Sequence, residues 1–169
     1  IYFRDGTSDT IIINKNMNPE QRPEYIFPQL PMPVRVILDI GANIGITALR
    51  LAHCYPEATI YSFEPEPENY SILLKNVDGI DRIKTFPFGL GRESGELMLH
   101  RSEDPVNHGG YSLFEKGSSG EHLTVQIRSV TDCLEEQRIT AIDVLKIDCE
   151  GAECDILSSM PESVLSSIS

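Results

Sequence analysis

The stretch from Val36 to Glu64 constrains this 169-residue chain more than any other. Val36-Ile37-Leu38-Asp39-Ile40 is a short apolar run of the kind a parallel sheet buries on both faces, and Gly41-Ala42-Asn43-Ile44-Gly45 breaks it with a tight turn. Beyond the turn, Ile44, Ala48, Leu51, Ala52 and Tyr55 recur at i, i+4, i+7, i+8 and i+11, one face of a helix. Pro56 stops that helix, and Thr59 to Phe63 reads as the next strand, closing on Glu64. Strand, glycine turn, helix, and a second strand ending in a carboxylate make a βαβ unit of the nucleoside-binding kind.

The same alternation continues to the end of the chain. Pro67 opens a helix with Tyr70, Leu73, Leu74 and Val77 on one face, and Asp78-Gly79 ends it. Ile83 to Phe88 is expected as a third strand, stopped at Gly89. Between Gly91 and Arg128 the period changes to two: Glu96 to His100 and Leu123 to Ile127 read as strands flanking a loop rich in Gly, Ser and His. Asp132 and Glu135 have capping-box spacing for a short helix to Gln137. Ile142 to Ile147 is expected as the fourth parallel strand, followed by a helix from about Ala152 that breaks at Pro161. Ahead of all this, residues 1–34 form an approach segment. It comprises strand-like Ile1-Tyr2-Phe3, a turn over Arg4 to Asp9, a short strand over Thr10 to Ile13 and a proline-punctuated loop from Pro19 to Pro33. That segment is either a plain edge or a lid, with Tyr25 a weak candidate for ligand contact.

The length allows one domain with one core. With 14 basic and 26 acidic residues the net charge is −12, and no segment gathers Lys or Arg into a stripe. Nucleic acid and anionic membrane are therefore poor partners, since binding phosphate requires clustered cations. No run of about 18 apolar residues is present. Cys54, Cys133, Cys149 and Cys154 include no C-x-x-C pair, which points to reduced, structural thiols in a reducing compartment, the cytoplasm.

In an open α/β sheet, ligands sit beyond the carboxyl ends of the strands where strand order reverses. The groups expected there are Asp39 to Gly45, Glu64, Phe88 with Gly89, and Asp148 with Glu150. A G-x-G-x-x-G fingerprint would need Gly at 43 and 46, where Asn43 and Ile46 stand, so a pyrophosphate on the helix N-terminus is disfavoured. A smaller anion such as an amino-acid carboxylate could still accept from the turn amides. Glu64 lies 23 residues beyond Gly41, near the spacing at which an acid meets ribose hydroxyls. Glu66 and Glu68 read as acids favoured at a helix start. Carboxylates Asp148, Glu150 and Glu153 suit Mg²⁺, but acids so placed at a helix start commonly serve as caps, and no metal is assigned. His100, His108 and His122, in or beside the excursion, could face an acceptor, though scattered surface histidines are the plainer account.

Asp39-Ile40-Gly41-Ala42-Asn43-Ile44-Gly45, Phe63-Glu64-Pro65 and Lys146-Ile147-Asp148-Cys149-Glu150-Gly151-Ala152-Glu153 together resemble the motif series of the FkbM family of S-adenosylmethionine-dependent methyltransferases. Gly6-Thr7-Ser8-Asp9, Phe88-Gly89-Leu90-Gly91 and Ser129-Val130-Thr131-Asp132 resemble its intervening landmarks, so the likeness covers most of the chain. It implies a Rossmann-like class I methyltransferase fold: a mostly parallel, doubly wound sheet with a small β excursion. The implied domain is single, over residues 1–169, with a core from 35 that stops before the last strands of the usual seven-stranded sheet.

The cofactor implied is S-adenosyl-L-methionine. Gly41, Ala42, Asn43 and Gly45 would line its methionine moiety, Glu64 would take the ribose hydroxyls, Phe88 with Gly89 would flank the adenine, and Asp39 and Asp148 would also belong to the cofactor site. Asp148 and Glu150 would stand near the transferring methyl, either of them a possible base, with Lys146 orienting it or simply snorkelling from a strand end. Cys149 departs mildly from the aliphatic residue more usual there. A sulfonium cation without phosphate suits an acidic crevice, since a carboxylate about 4 Å away contributes roughly 1–4 kcal/mol at dielectrics between 80 and 20. The expected acceptor is a small molecule, by family likeness a sugar or natural-product hydroxyl. The rivals are a non-catalytic domain that keeps the fold and an NAD-dependent oxidoreductase.

Overall fold

The computed structural model describes residues 1–18, 27, 29–101, 111–112, 122–149 and 151–168. Its centre is a four-stranded, wholly parallel sheet in the order β3-β2-β1-β8, where β1 is Val36–Ile40, β2 Thr59–Phe63, β3 Ile83–Phe86 and β8 Val144–Ile147. Val36 pairs with Thr59 and Ile40 with Phe63 on one side of β1, while Ile37 pairs with Val144 and Ile40 with Ile147 on the other. The chain thus builds outward from β1 to β3 and returns on the far side of β1. That reversal between β1 and β8 is the topological switch point of a doubly wound sheet.

Alternation along the strands divides the core into two layers. Ile37, Ile60 and Ile83 face one layer with α2 (Ile46–Cys54) and α3 (Pro67–Asn76), whose Ala48, Leu51, Ala52, Leu73 and Val77 are buried there. Leu38, Ile40 and Phe63 face the other, against α4 (Val130–Glu136), α5 (Glu153–Ser159) and α6 (Glu162–Leu165). The helical face read from Ile44 to Tyr55 is buried throughout. On α3 the stripe is narrower than expected, because Leu74 is exposed.

A second sheet has the order β4-β7-β5-β6, with β4 Gly89–Gly91, β5 Gly95–Arg101, β6 Tyr111–Ser112 and β7 His122–Ser129. The period-two excursion is therefore real, and its two long strands pair antiparallel, Leu97 opposite Val125 and Leu99 opposite Leu123. The chain crosses from one sheet to the other at Pro87-Phe88. The strand expected to run to Phe88 ends at Phe86, and Gly89–Gly91 pairs instead with Ile127 to Ser129 in parallel.

Four other expectations are corrected. Thr10 to Ile13 is not a strand but lies in α1, Ser8–Met17. The β-branched triplet Ile11-Ile12-Ile13 favours strand locally, yet Thr7 caps a helix by accepting from the Asp9 N–H at 3.2 Å, and the Asp9 side chain is sealed beneath Arg4. Ile1-Tyr2-Phe3 joins no sheet; the Asn76 side chain holds it, accepting from Tyr2 N at 2.6 Å and donating to Tyr2 O at 3.0 Å. The cap of α4 is Ser129, which accepts from the Asp132 N–H, so the helix starts before the Asp132 expected to cap it. The fourth parallel strand starts at Val144 rather than Ile142, and the break at Pro161 separates α5 from α6 as read. Most of the Pro19–Pro33 loop with Tyr25, and the loop between β5 and β7 with His108, lie outside the described residues. No helix among those described is long and apolar enough to cross a membrane.

Candidate active site

A cavity of about 610 Å³ opens at the carboxyl ends of β1, β2 and β8, where the sequence placed the strand-end residues. Its floor is the Gly41–Ile44 turn. Gly41 adopts φ +78° and backs against β8 so closely that a Cβ there would stand 2.0 Å from the Asp148 carbonyl oxygen. Gly45, at φ +87°, begins α2, and a Cβ on it would meet Leu73 Cδ1 at 2.6 Å. No side chain other than glycine satisfies both demands at position 41.

The turn spends its amides internally. Gly41 N and Ala42 N donate to Phe63 O at 3.0 and 2.9 Å, Asn43 N to Glu64 Oε2 at 2.7 Å, Ile44 N to Asn43 Oδ1 at 2.8 Å and Gly45 N to Ala42 O at 2.9 Å. The expectation that these amides receive a carboxylate is therefore corrected: Gly41, Ala42, Asn43 and Gly45 shape the floor, and their N–H groups serve to hold it. An anion at this end of the cavity would meet the first-turn N–H groups of α2, which no side chain caps.

Glu64 reaches the cavity from the end of β2 and is only 5% exposed. Besides Asn43 N, its carboxylate accepts from Glu66 N at 3.0 Å and Asn69 Nδ2 at 3.5 Å. Burial pushes its pKa up to about 7 against the pull of those three donors. Glu66 caps α3, accepting from Glu68 N and Asn69 N, which is the helix-start role read for it.

Asp39 does not reach the cavity. It is fully buried under the turn, with Oδ1 3.2 Å from Lys146 Nζ and Oδ2 3.5 Å from Ser62 Oγ. Oδ1 accepts no aligned hydrogen bond, so the neighbouring ammonium is what offsets its burial. Lys146 Nζ also donates to Gly41 O at 2.5 Å and Ile40 O at 3.3 Å. This lysine is a clamp from β8 onto the β1 turn, and its ammonium faces that turn rather than extending to water.

Asp148 is exposed on the cavity wall, positioned by its N–H to Ile40 O at 3.0 Å. Cys149, half-buried beside it, also lines the cavity, and burial together with Glu153 pushes its thiol up to about 12. Glu153, the first residue of α5, accepts from the Cys149 and Gly151 N–H groups at 3.0 Å and so holds the turn ahead of the helix, which has no side-chain cap. Glu150 lies outside the described residues. Gly89 lines the cavity, whereas Phe88 does not: its ring packs 5.9 Å from Phe63 and 5.6 Å from Phe86, with the Arg128 guanidinium 5.2 Å above it. Among the described residues no group of three or more His, Cys, Asp or Glu is placed to hold a metal, and none of the four cysteines is in a disulfide.

Two walls were only partly legible in advance, the first as the lid alternative for the approach segment. Ile11, Ile12 and Lys15 of α1 close one side, and Leu97, Leu99, Val125 and Ile127, alternate residues of β5 and β7, present an apolar surface on another. The period-two pattern marked the second wall as a sheet face without saying what it faced. The Thr7-Ser8-Asp9 cap signal marked the first, but Ile11 to Ile13 obscured it. Across the lining, Glu64, Glu66, Glu93, Glu96, Asp148 and Asp155 outnumber Lys15, Arg92 and Lys146. Lys146 is paired with Asp39 and Arg92 with Asp155.

A parallel sheet with its switch point over an acidic cavity, and a glycine turn beneath, defines the Rossmann-like class of cofactor-dependent folds. Within that class, residues 39–168 match the methyltransferase FkbM domain, and the chain belongs to that family. Methyltransferase sdnD of Sordaria araneosa is 30% identical over 75% of this chain and 60% of its own length. The 2-O-methyltransferase NoeI of Sinorhizobium fredii is 27% identical over 80% of this chain and 61% of its own, and the hexuronic acid methyltransferase AglP of Haloferax volcanii 28% over 78% and 52%. The chain spans about half to three-fifths of the length of these relatives.

Proposed function

We propose that this chain binds S-adenosyl-L-methionine in the switch-point cavity and transfers its methyl group to a hydroxyl of a small acceptor, a sugar or natural product. One observation carries the reading: the cavity is rich in carboxylates while the turn amides that would cradle a pyrophosphate are already bonded within the protein. A cation without phosphate suits such a site better than a dinucleotide, whose pyrophosphate would have only the open first turn of α2 and would face the surrounding carboxylates. The names of the relatives, a 2-O-methyltransferase and a hexuronic acid methyltransferase among them, agree with an oxygen acceptor.

When bound, S-adenosylmethionine supplies an electrophilic methyl on a sulfonium. The protein's part is to hold and orient. Glu64 takes the ribose hydroxyls, Gly41 to Gly45 with Gly89 bound the cofactor half, and Asp148 stands where an acceptor hydroxyl would lose its proton. Positioning of this kind lowers a barrier by about 7–11 kcal/mol, more than the roughly 3–5 kcal/mol of a general base, so Asp148 is secondary to geometry. Lys146 acts by fixing the turn. Residues 1–169 work as one domain in this reading, since α1 and the parallel sheet line the same cavity. Free thiols throughout agree with a reducing compartment such as the cytoplasm.

Calorimetric titration with S-adenosylhomocysteine, and in parallel with NAD⁺, tests the proposal. Micromolar binding of the first and none of the second is expected; the reverse result, or no binding of either by folded protein, refutes it.

A further inference from the structure

We propose that Arg4 and Asn69 are positioning residues for Glu64, forming a relay that ties the N-terminal arm to the carboxylate assigned above to the ribose. The inference rests on that assignment.

The relay begins at Asp9, which is wholly buried at the start of α1. Its carboxylate accepts from Arg4 N, Nε and Nη2, each at 2.9 Å, so the guanidinium is held in a fixed fork. The same Nη2 donates to Asn69 Oδ1 at 2.7 Å. A guanidinium has donors only, so the Asn69 oxygen must face Arg4 and its NH₂ must point the other way. The other way is Glu64: Asn69 Nδ2 lies 3.5 Å from Oε1. Asn69 is anchored independently by its backbone N–H to Glu66 Oε2 at 2.6 Å.

At 3.5 Å the amide contributes orientation more than bond strength. It occupies one lone pair of Oε1, while Asn43 N and Glu66 N occupy others, leaving the remaining acceptor directions for a ligand. Without Arg4, the Asn69 amide is free to flip and set its oxygen against the carboxylate. The charged groups on the surrounding cavity walls are Lys15 of α1, Glu66 at the cap of α3, Arg92 and Glu93 between β4 and β5, Glu96 of β5, Lys146 and Asp148 at the β8 end, and Asp155 of α5. Of these, Glu66 acts on Glu64 directly, and it disfavours ionisation.

The test titrates wild type, Asn69→Leu and Arg4→Lys with S-adenosylhomocysteine over about pH 6 to 8.5. Wild-type affinity should rise with pH and level off above about 7, as Glu64 ionises. Asn69→Leu should bind several-fold more weakly at neutral pH, less than the loss of a full hydrogen bond to a charged group because the 3.5 Å contact mainly orients, and level off at higher pH. Arg4→Lys keeps a cation beside Asp9 but loses the fork, and should shift both quantities in the same direction by less.

Equal affinities and equal pH midpoints across the three proteins overturn the proposal, as does a loss that is the same at every pH, which marks a purely structural role. A second measurement separates this from failure of the ribose assignment. Carbon-detected titration of the Glu64 carboxyl needs no ligand, and an unchanged midpoint in folded Asn69→Leu overturns the relay whatever wild type binds. Silence of wild type toward S-adenosylhomocysteine overturns the assignment and the inference built on it.

Discussion

Lys146 shows how far a residue's role depends on what its neighbours hide. From the sequence it was an orienting group near the reacting methyl or a snorkelling strand-end lysine; in the structure it is 8% exposed and spans Asp39, Ile40 and Gly41. Lys146→Met leaves the Asp39 carboxylate buried without its cation and should cost about 3–5 kcal/mol in a urea melt, with Asp39→Asn in the same chain recovering part of the loss. Glu64→Ala should weaken S-adenosylhomocysteine binding more than tenfold by calorimetry. Asp148→Asn should instead lower kcat more than it raises KM, because an exposed wall residue contributes little to ground-state binding. The glycines, Glu64 and Asp148 were legible because strand ends and a broken apolar run mark them in one dimension. Arg4 and Asn69 were not, since a bond across 65 positions has no local signature. Phe88 was assigned to the cavity from its position after β3, but the neighbouring aromatics Phe63 and Phe86 draw its ring into the core.

At the scale of elements, the parallel strands and the helices after them followed from apolar periodicity, and the errors fall where two signals compete. α1 carries three consecutive isoleucines, a strand signature, but Thr7 and the buried Asp9 fix a helix start that no β pairing offsets. For α4 the D-x-x-E spacing at Asp132 predicts a start, but the structure caps the helix at Ser129, three residues earlier, whose S-x-x-D spacing competes with it. Ser129→Ala should therefore cost about 1 kcal/mol of unfolding free energy, a typical cap loss, whereas Asp132→Ala should cost less than half of that. Parallel urea melts of the two variants distinguish the caps.

For the molecule as a whole, Glu64 couples stability to pH. Its proton is held below about 7 in the folded protein and below the ordinary carboxyl value of 4.5 once unfolded. Between those values the folded state binds more protons, so stability falls as pH rises from about 4.5 to 7, by up to roughly 3 kcal/mol from this group. The net charge of −12 adds self-repulsion of the same sign. Urea midpoints of wild type should decline from about pH 5 to 7.5, and Glu64→Gln should flatten that decline. The doubly wound order of the parallel sheet was legible in the alternation of strands and helices, because crossover handedness and a reversal of direction leave few topologies open. How the second sheet leans over the switch point was not, since it is set by the short Pro87-Phe88 crossing and by pairing between β4 and β7 rather than by any periodicity.

Cys149 lines the cavity beside Asp148, and a thiolate there would be the strongest nucleophile within reach of any alkylating ligand. Burial and the nearby Glu153 push its thiol up to about 12, so the sulfur stays protonated at neutral pH. The packing that makes this sulfur an ordinary filler also keeps it from consuming an electrophile meant for something else: the site is insulated against modifying itself.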